Sequence, residues 1–264
     1  MSARIEATGL AVGYGHRPIV EGLNFSLQPG ELLVLIGTNG SGKSTLLKTL
    51  AGLVTAQSGE VKVLGGKPGT QHSLVGYLPQ HPVSSHTLPL RVEDVAAMGR
   101  YAHLGLTRRA RAEDHRIVQE SMERTGAIAY RSRPLRDLSG GQQQRTHLAQ
   151  VLARQADVLL LDEPDNYLDI PTRKWLEEQI KSCKSTILMV SHDRTLLEQC
   201  STKVVVIEGS GCWVHGGSYK TFPEARAKRQ ELLGDDLKRW NEEERRLFHH
   251  MKIMKQRAAQ NFKN

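Results

Sequence analysis

Residues 37–45 read GTNGSGKST, and the chain is organised around them. Just before them, residues 32–36 (LLVLI) form a short apolar run, the pattern of a buried strand. Just after, residues 43–50 (KSTLLKTL) hold no Gly or Pro and predict a helix. Strand, glycine-rich turn and helix, in that order, is the setting that a phosphate-binding loop requires. Gly37, Gly40 and Gly42 permit backbone angles closed to side chains, so successive N–H groups can point inward at an anion. The helix N-terminus adds the positive end of its dipole. Lys43 brings a charge to the outer phosphates, and the Ser44 hydroxyl can ligate Mg²⁺. The candidate contact set in the loop is Gly37, Asn39, Gly40, Ser41, Gly42, Lys43, Ser44 and Thr45. It points to a nucleoside triphosphate and is silent on the purpose of binding one.

The chain has 264 residues, enough for one large or two small domains with a sizeable core. It is 39% hydrophobic and 24% charged, the balance of a soluble globular protein. No apolar run approaches the ~18–20 residues of a membrane span. The N-terminus lacks the basic-then-apolar design of a secretion signal, which predicts a cytoplasmic location. Cys183, Cys200 and Cys212 are odd in number and widely spaced. They suit neither a disulfide framework nor a zinc site, and reduced thiols are expected. The net charge of +8 permits RNA or an anionic membrane surface as a partner. Two regions carry the excess: residues 100–136 with nine Arg against four acids, and residues 224–264 with eleven Lys and Arg against seven acids.

Taken in order, residues 5–12 and 20–27 predict strands in a β-rich opening, with 13–16 as the turn between them. Tyr14 stands in that turn, where its ring could stack on a base. Strands are expected at 59–64 and 75–78. Gln80 lies just beyond the second of these and offers both donor and acceptors, so it could sense Mg²⁺ or an attacking water. After a loop at 82–89, helices are expected at 92–101 and 110–125, the second polar and Arg-rich. Residues 138–142 read LSGGQ and open a helical stretch to about residue 155. Adjacent glycines after a serine at a helix start make a second anion cradle, here Ser139, Gly140, Gly141 and Gln142. One nucleotide needs one such loop, so the second could serve the nucleotide of a facing copy.

Residues 158–162 read VLLLD, an all-apolar run suited to a central parallel strand. Acids at its carboxyl end fall where open α/β sheets bind ligands. Asp162 can hold Mg²⁺ through water, and Glu163 can act as general base on the attacking water. A helix is expected at 171–180, with Pro171 in its first turn. A further apolar strand at 186–190 ends in SHDR, where His192 can hydrogen-bond a terminal phosphate. Residues 203–207 and 212–215 look like a closing hairpin. From 235 to 264 there is no Gly or Pro, and Leu233, Leu237, Trp240, Leu247, Met251, Met254 and Ala258 recur at heptad-like steps, with Glu244 at the missing place. One such stripe cannot bury itself.

Tyr14, GTNGSGKST, Gln80, LSGGQ, LLLDEP, NYLD and SHD occur in an order that resembles the ATP-binding cassette ATPases over about residues 3–207. The resemblance implies a doubly covered α/β fold: a P-loop cassette with a β-rich N-terminal subdomain, a parallel-sheet core and a helical insertion. It implies that two cassettes face head to tail around two ATP molecules. Tyr14 would stack on adenine, and Ser44, Gln80 and Asp162 would serve Mg²⁺. Glu163 would be the general base, Lys43 and His192 the contacts to the terminal phosphate. Ser139, Gly140, Gly141 and Gln142 would complete the partner's site, and Asp169 would lie across the dimer interface.

The two halves resemble different branches of that family. Residues 88–101 (LPLRVEDVAAMGRY) are similar to metal- and siderophore-type importer ATPases, whose helical region docks a membrane permease. DEPDNYLD, VSHDR, WVHGGSYKTF and the terminal helix are similar to the ABC-F proteins that act on ribosomes, the helix resembling the start of their inter-cassette linker. An importer would more often carry a small residue where Tyr167 stands. The expectation is a cassette over 1–222, its helical part at about 88–137, and a basic helical extension over 223–264. The leading expectation for function is an ATPase, paired as a homodimer, that energises a separate permease from the cytoplasm or the inner face of the cell membrane. A ribosome-associated ATPase, or a truncated or mosaic gene, is the alternative.

Overall fold

The computed structural model describes residues 2–15, 17–80, 90–105, 108–209 and 211–261, without the side chains of 249–250 and 252–261. The loop expected at 82–89, and the start of the helical part at 88, lie outside the described residues.

The chain opens with β1 (Ile5–Tyr14) and β2 (Arg17–Leu27), paired antiparallel. β3 (Leu32–Gly37) leads into α1 (Lys43–Leu50). β4 (Ser58–Val63) returns to pair with β1, giving a three-stranded antiparallel sheet in the order β2-β1-β4. Then come β5 (Val75–Leu78), α2 (Val92–Leu104), α3 (Ala112–Thr125) and α4 (Gly140–Ala153). β6 (Val158–Asp162), α5 (Ile170–Ser182), β7 (Thr186–Val190) and α6 (Arg194–Cys200) follow. β8 (Lys203–Glu208) and β9 (Gly211–His215) form the expected hairpin, and α7 spans Phe222–Asn261.

Strands β3 and β5 to β9 form one sheet in the order β5-β6-β7-β3-β8-β9, parallel except for β9. β3 shows why. Leu33 and Leu35 enter one core while Leu32 and Val34 enter another, so both faces of the strand are covered. On the first face α1 lies between the two sheets, with Leu46, Leu47 and Leu50 fully buried among residues of β1, β2, β3 and β6. Each such leucine is worth about 1.5–3 kcal/mol of burial, which fixes the helix behind the glycine-rich loop. On the second face lie α4, α5 and α6. A third core joins α2 and α3 to the inner side of α4 through Val95, Ile117, Met122 and Ala149.

Several boundaries differ from the sequence expectation. β1 runs on through Tyr14 and β2 starts at Arg17, because Gly13 and Tyr14 still pair with Pro18 and Arg17, so Tyr14 ends a strand where a turn was expected at 13–16. α3 begins at Ala112, not residue 110, because the Asp114 carboxylate accepts the Arg111 N–H at 2.9 Å and closes the first turn there. α7 begins at Phe222, within one residue of the helical extension expected from 223, and runs through Gly234 ahead of the uninterrupted stretch at 235. Pro223 sits in the first turn, where its missing N–H costs nothing, and one internal glycine costs only about 1 kcal/mol. The chain separates into two compact units, Met1–Tyr219 and Lys220–Asn264. No helix among the described residues is long and apolar enough to cross a membrane.

Candidate nucleotide site

The carboxyl ends of β3, β5, β6 and β7 point the same way, and open parallel sheets bind ligands at that edge. Their exits meet in a cleft of about 480 Å³, lined by Ile19, Asn39, Gly40, Gly42, Lys43, Ser44, Thr45, Gln80, Glu163 and His192. That volume suits a small-molecule site. The sequence separates Lys43 from His192 by most of the chain, and the sheet brings them together.

The loop has the conformation its glycines permit. Gly40 and Gly42 stand at φ 78° and 94°, in the left-handed region. Gly37 ends β3, and its carbonyl and that of Thr38 each accept the Lys43 amine at 2.9 Å. Burial lowers the Lys43 pKa, and the nearby Glu163 and Asp162 pull it partly back. Burial likewise raises the Asp162 pKa, offset by a hydrogen bond from the Ser44 side chain and by Lys43. One Asp162 carboxylate oxygen and the Ser41 hydroxyl are buried with no hydrogen-bond partner among the described residues. Orphaned buried polar atoms are uncommon. Ser41 stands between two lining glycines and Asp162 directly precedes Glu163, so a phosphate with Mg²⁺ fits the residues present. Ser44, Gln80 and Asp162 carry oxygen donors that would hold the metal, the hard set that Mg²⁺ takes.

Glu163 is held from three sides. Its backbone adopts φ 54°, rare for a side-chain-bearing residue, and its N–H donates to the Val190 carbonyl at 2.8 Å. Asn166 Nδ2 donates to Oε2 at 2.5 Å, and His192 Nε2 stands 3.5 Å from Oε1. Gln144 of α4 reaches across to the Pro164 carbonyl at 3.0 Å, so the helix that LSGGQ opens is tied to the end of β6. Sequence reading missed Asn166 and Gln144. The signal for Asn166 was its place three residues after Glu163, within reach of a carboxylate once the chain turns.

The remaining candidates lie elsewhere. Ser139 caps α4, with its hydroxyl accepting the Gln142 N–H at 3.3 Å and its own N–H bonded to Gln142 Oε1 at 3.1 Å. Ser139, Gly140, Gly141 and Gln142 do not line the cleft. Asp169 caps α5 and accepts from Arg145 at 3.0 Å. The Thr172 and Arg145 donors around it hold its carboxyl below the usual range. Tyr14 is exposed and lines a second cleft of about 680 Å³ with Gly13, Pro18, Glu21 and Gln57. Pro18 lines that cleft and Ile19 the first, so the two flank one strand.

A family model described as ABC transporter matches residues 20–166, and the chain belongs to that family. It is 34% identical over 210 residues to the manganese transport system ATP-binding protein MntB of Halalkalibacterium halodurans, covering 78% of this chain and 84% of that one. It is 32% identical over 284 residues to an antibiotic resistance protein of Mycobacteroides abscessus, covering 95% of this chain and 51% of that one. The fold superposes on that of an ABC transporter ATP-binding subunit with a TM-score of 0.74 at 23% identity, over 86% of this chain and 94% of the other.

Proposed function

We propose that this chain is the ATP-hydrolysing subunit of a metal-type import system, working as a head-to-tail pair at the inner face of the cell membrane beneath a separate permease. One observation carries the reading. The cleft gathers the phosphate loop, Gln80, Glu163 and His192, while the second anion cradle at Ser139–Gln142 stands outside it. A facing copy would bring its own Ser139, Gly140 and Gly141 to the open side. The name of the manganese-transport relative supports the cargo class.

Within the site, Gly40 to Thr45 would wrap the phosphates and Tyr14 would take the adenine. Mg²⁺, held from Ser44, Gln80 and Asp162, would neutralise phosphate charge. Glu163 would take the proton of the attacking water. Asn166 fixes one oxygen of that carboxylate and leaves the other toward His192. The cassette would occupy 1–222, with its helical part at about 88–137, and residues 223–264 would be a separate basic extension.

A ribosome-associated ATPase is the second reading. The antibiotic-resistance relative matches 95% of this chain, so no more than about 13 of the 264 residues lie outside the match. That match must take in much of α7, the basic helix that would then face RNA. Glu163→Gln separates the two readings, because it removes the base and keeps ATP binding. Retention by a detergent-solubilised permease supports transport. Sedimentation with ribosomes, lost at high salt, overturns it.

A further inference from the structure

The apolar residues of α7 form a stripe that is exposed among the described residues. Leu233, Leu237, Trp240, Leu247 and Met251 are each between 52% and 64% exposed. Their steps of four, three, seven and four place them at the two core positions of a heptad, and Glu244 fills the gap. The helix is 40 residues long, about 60 Å at ~1.5 Å per residue. An exposed stripe of this kind calls for a partner helix.

Charge along the helix identifies the partner and its direction. Residues 235–244 hold five acids against two bases, and residues 245–257 hold five bases and no acid. A parallel second copy would set acid on acid and base on base, with Glu244 against the partner's Glu244 in the seam. An antiparallel copy reverses every one of these pairings. The acidic half of each helix then lies along the basic half of the other.

The register follows from the heptad. In an antiparallel pair, one core position meets the other kind across the seam. Leu237 then stands level with the partner's Met254, Trp240 with the partner's Met251, and Glu244 with the partner's Leu247. In this register Asp236 is level with the partner's Lys255, and the flanking position on its own side of the seam belongs to the partner's Arg257, two residues or about 3 Å along the helix. Asp236 has an intrahelical neighbour, Arg239, at 3.4 Å, but that pair is exposed on both sides and is therefore weak.

We propose that α7 is a self-pairing helix that joins a second copy of this chain antiparallel, in the register that sets Asp236 against Arg257. The stripe and the charge polarity together define the contact, and no nucleotide is needed to form it. It is therefore independent of the head-to-tail pairing proposed above.

The test is sedimentation equilibrium of the nucleotide-free full chain at low ionic strength. The wild type should be dimeric. Asp236→Arg and Arg257→Asp should each weaken association roughly fivefold, since each change acts twice per symmetric dimer. The two changes together should recover association to within about twofold of wild type, because they re-create opposite charges only across an antiparallel seam. Trp240→Glu should leave a monomer. Helix content and ATP binding, unchanged in every variant, show that the chain is folded. A monomeric wild type, a dimer indifferent to Trp240→Glu, or a double variant no tighter than the single ones would overturn the proposal. Failure here leaves the Glu163→Gln experiment untouched, and the reverse holds too.

Discussion

The ring of Tyr167 lies against the backbone of Gly140. A Cβ built on Gly140 would stand 3.2 Å from Cγ of that ring, and one on Gly141 would stand 2.7 Å from the Tyr167 carbonyl oxygen. Tyr167 itself adopts φ 61° and is 66% exposed. The turn after β6 thus presses on the start of α4, and the two glycines accommodate it. Gly140→Ala meets a side chain that can swing into solvent, whereas Gly141→Ala meets main chain that cannot. We expect Gly141→Ala to lower both Tm and ATP turnover more than Gly140→Ala. Adding Tyr167→Ala should rescue the Gly140 variant and not the Gly141 variant. Thermal unfolding of the wild type, the three single variants and the two double variants gives both couplings; equal rescue of both glycine variants would remove the backbone contact as the cause.

Asn166 and Glu163 give the second prediction. The 2.5 Å hydrogen bond fixes one carboxylate oxygen next to a strained backbone. Asn166 does not line the cleft, so its loss should leave ATP binding alone. Asn166→Ala should lower kcat by about tenfold or more while KM for ATP changes little, a fraction of the ~10²–10⁴ that a positioned base supplies. Steady-state kinetics decide it. A rise in KM with kcat unchanged would place Asn166 in binding instead.

How much of this was legible beforehand depends on whether the signal was local. The run at 32–36 and the loop at 37–45 announce strand, turn and helix through residue types alone, and β3, Gly40, Gly42 and α1 follow them. The placement of Asp162 and Glu163 at the carboxyl end of β6 was legible because residues 158–161 are all apolar and the carboxylates end that run. The link from Gln144 to the Pro164 carbonyl was not legible, since it spans 20 residues and depends on how α4 packs on the sheet. Tyr14 was readable as an exposed aromatic, though it ends β1 and does not stand in a turn. Its cleft was not, because the strand carrying Pro18 and Ile19 divides the surface there. The start of α7 agrees with the extension expected from 223 to within one residue, and the helix carries Pro223 and Gly234 because a long helix tolerates one of each.

Lys43 supplies a third prediction. Its amine is buried and held by two loop carbonyls at 2.9 Å each. Lys43→Met keeps the apolar stem and removes the charge. The burial cost that lowers the Lys43 pKa disappears with the amine, which offsets the two lost hydrogen bonds. Tm should therefore change little. ATP affinity should fall at least about tenfold, or about 1.4 kcal/mol, as a charge-assisted contact to phosphate is lost. Isothermal titration measures both the affinity and the stoichiometry. Unchanged affinity would mean that the loop at 37–45 is not the phosphate site.

Asp165 carries the pH prediction. It is 7% exposed, and its Oδ1 has no hydrogen-bond partner among the described residues. Burial raises its pKa, with the Ser191 side chain and Arg173 opposing that shift and Asp193 adding to it. A raised folded-state value means that the folded chain holds this proton at a pH where the unfolded chain has released it. Stability is therefore lost as pH rises through the ordinary aspartate value of about 3.9 and on through the folded value. At neutral pH the ionised form is buried at a cost. Asn cannot ionise and can still bond Ser191. Asp165→Asn should therefore raise Tm at pH 7, and the gain should shrink to nothing below about pH 4, where both forms are neutral. Differential scanning calorimetry across that range tests it. A lower Tm at pH 7 would mean that the charge of Asp165 stabilises the turn before His192, through Arg173 and Ser191.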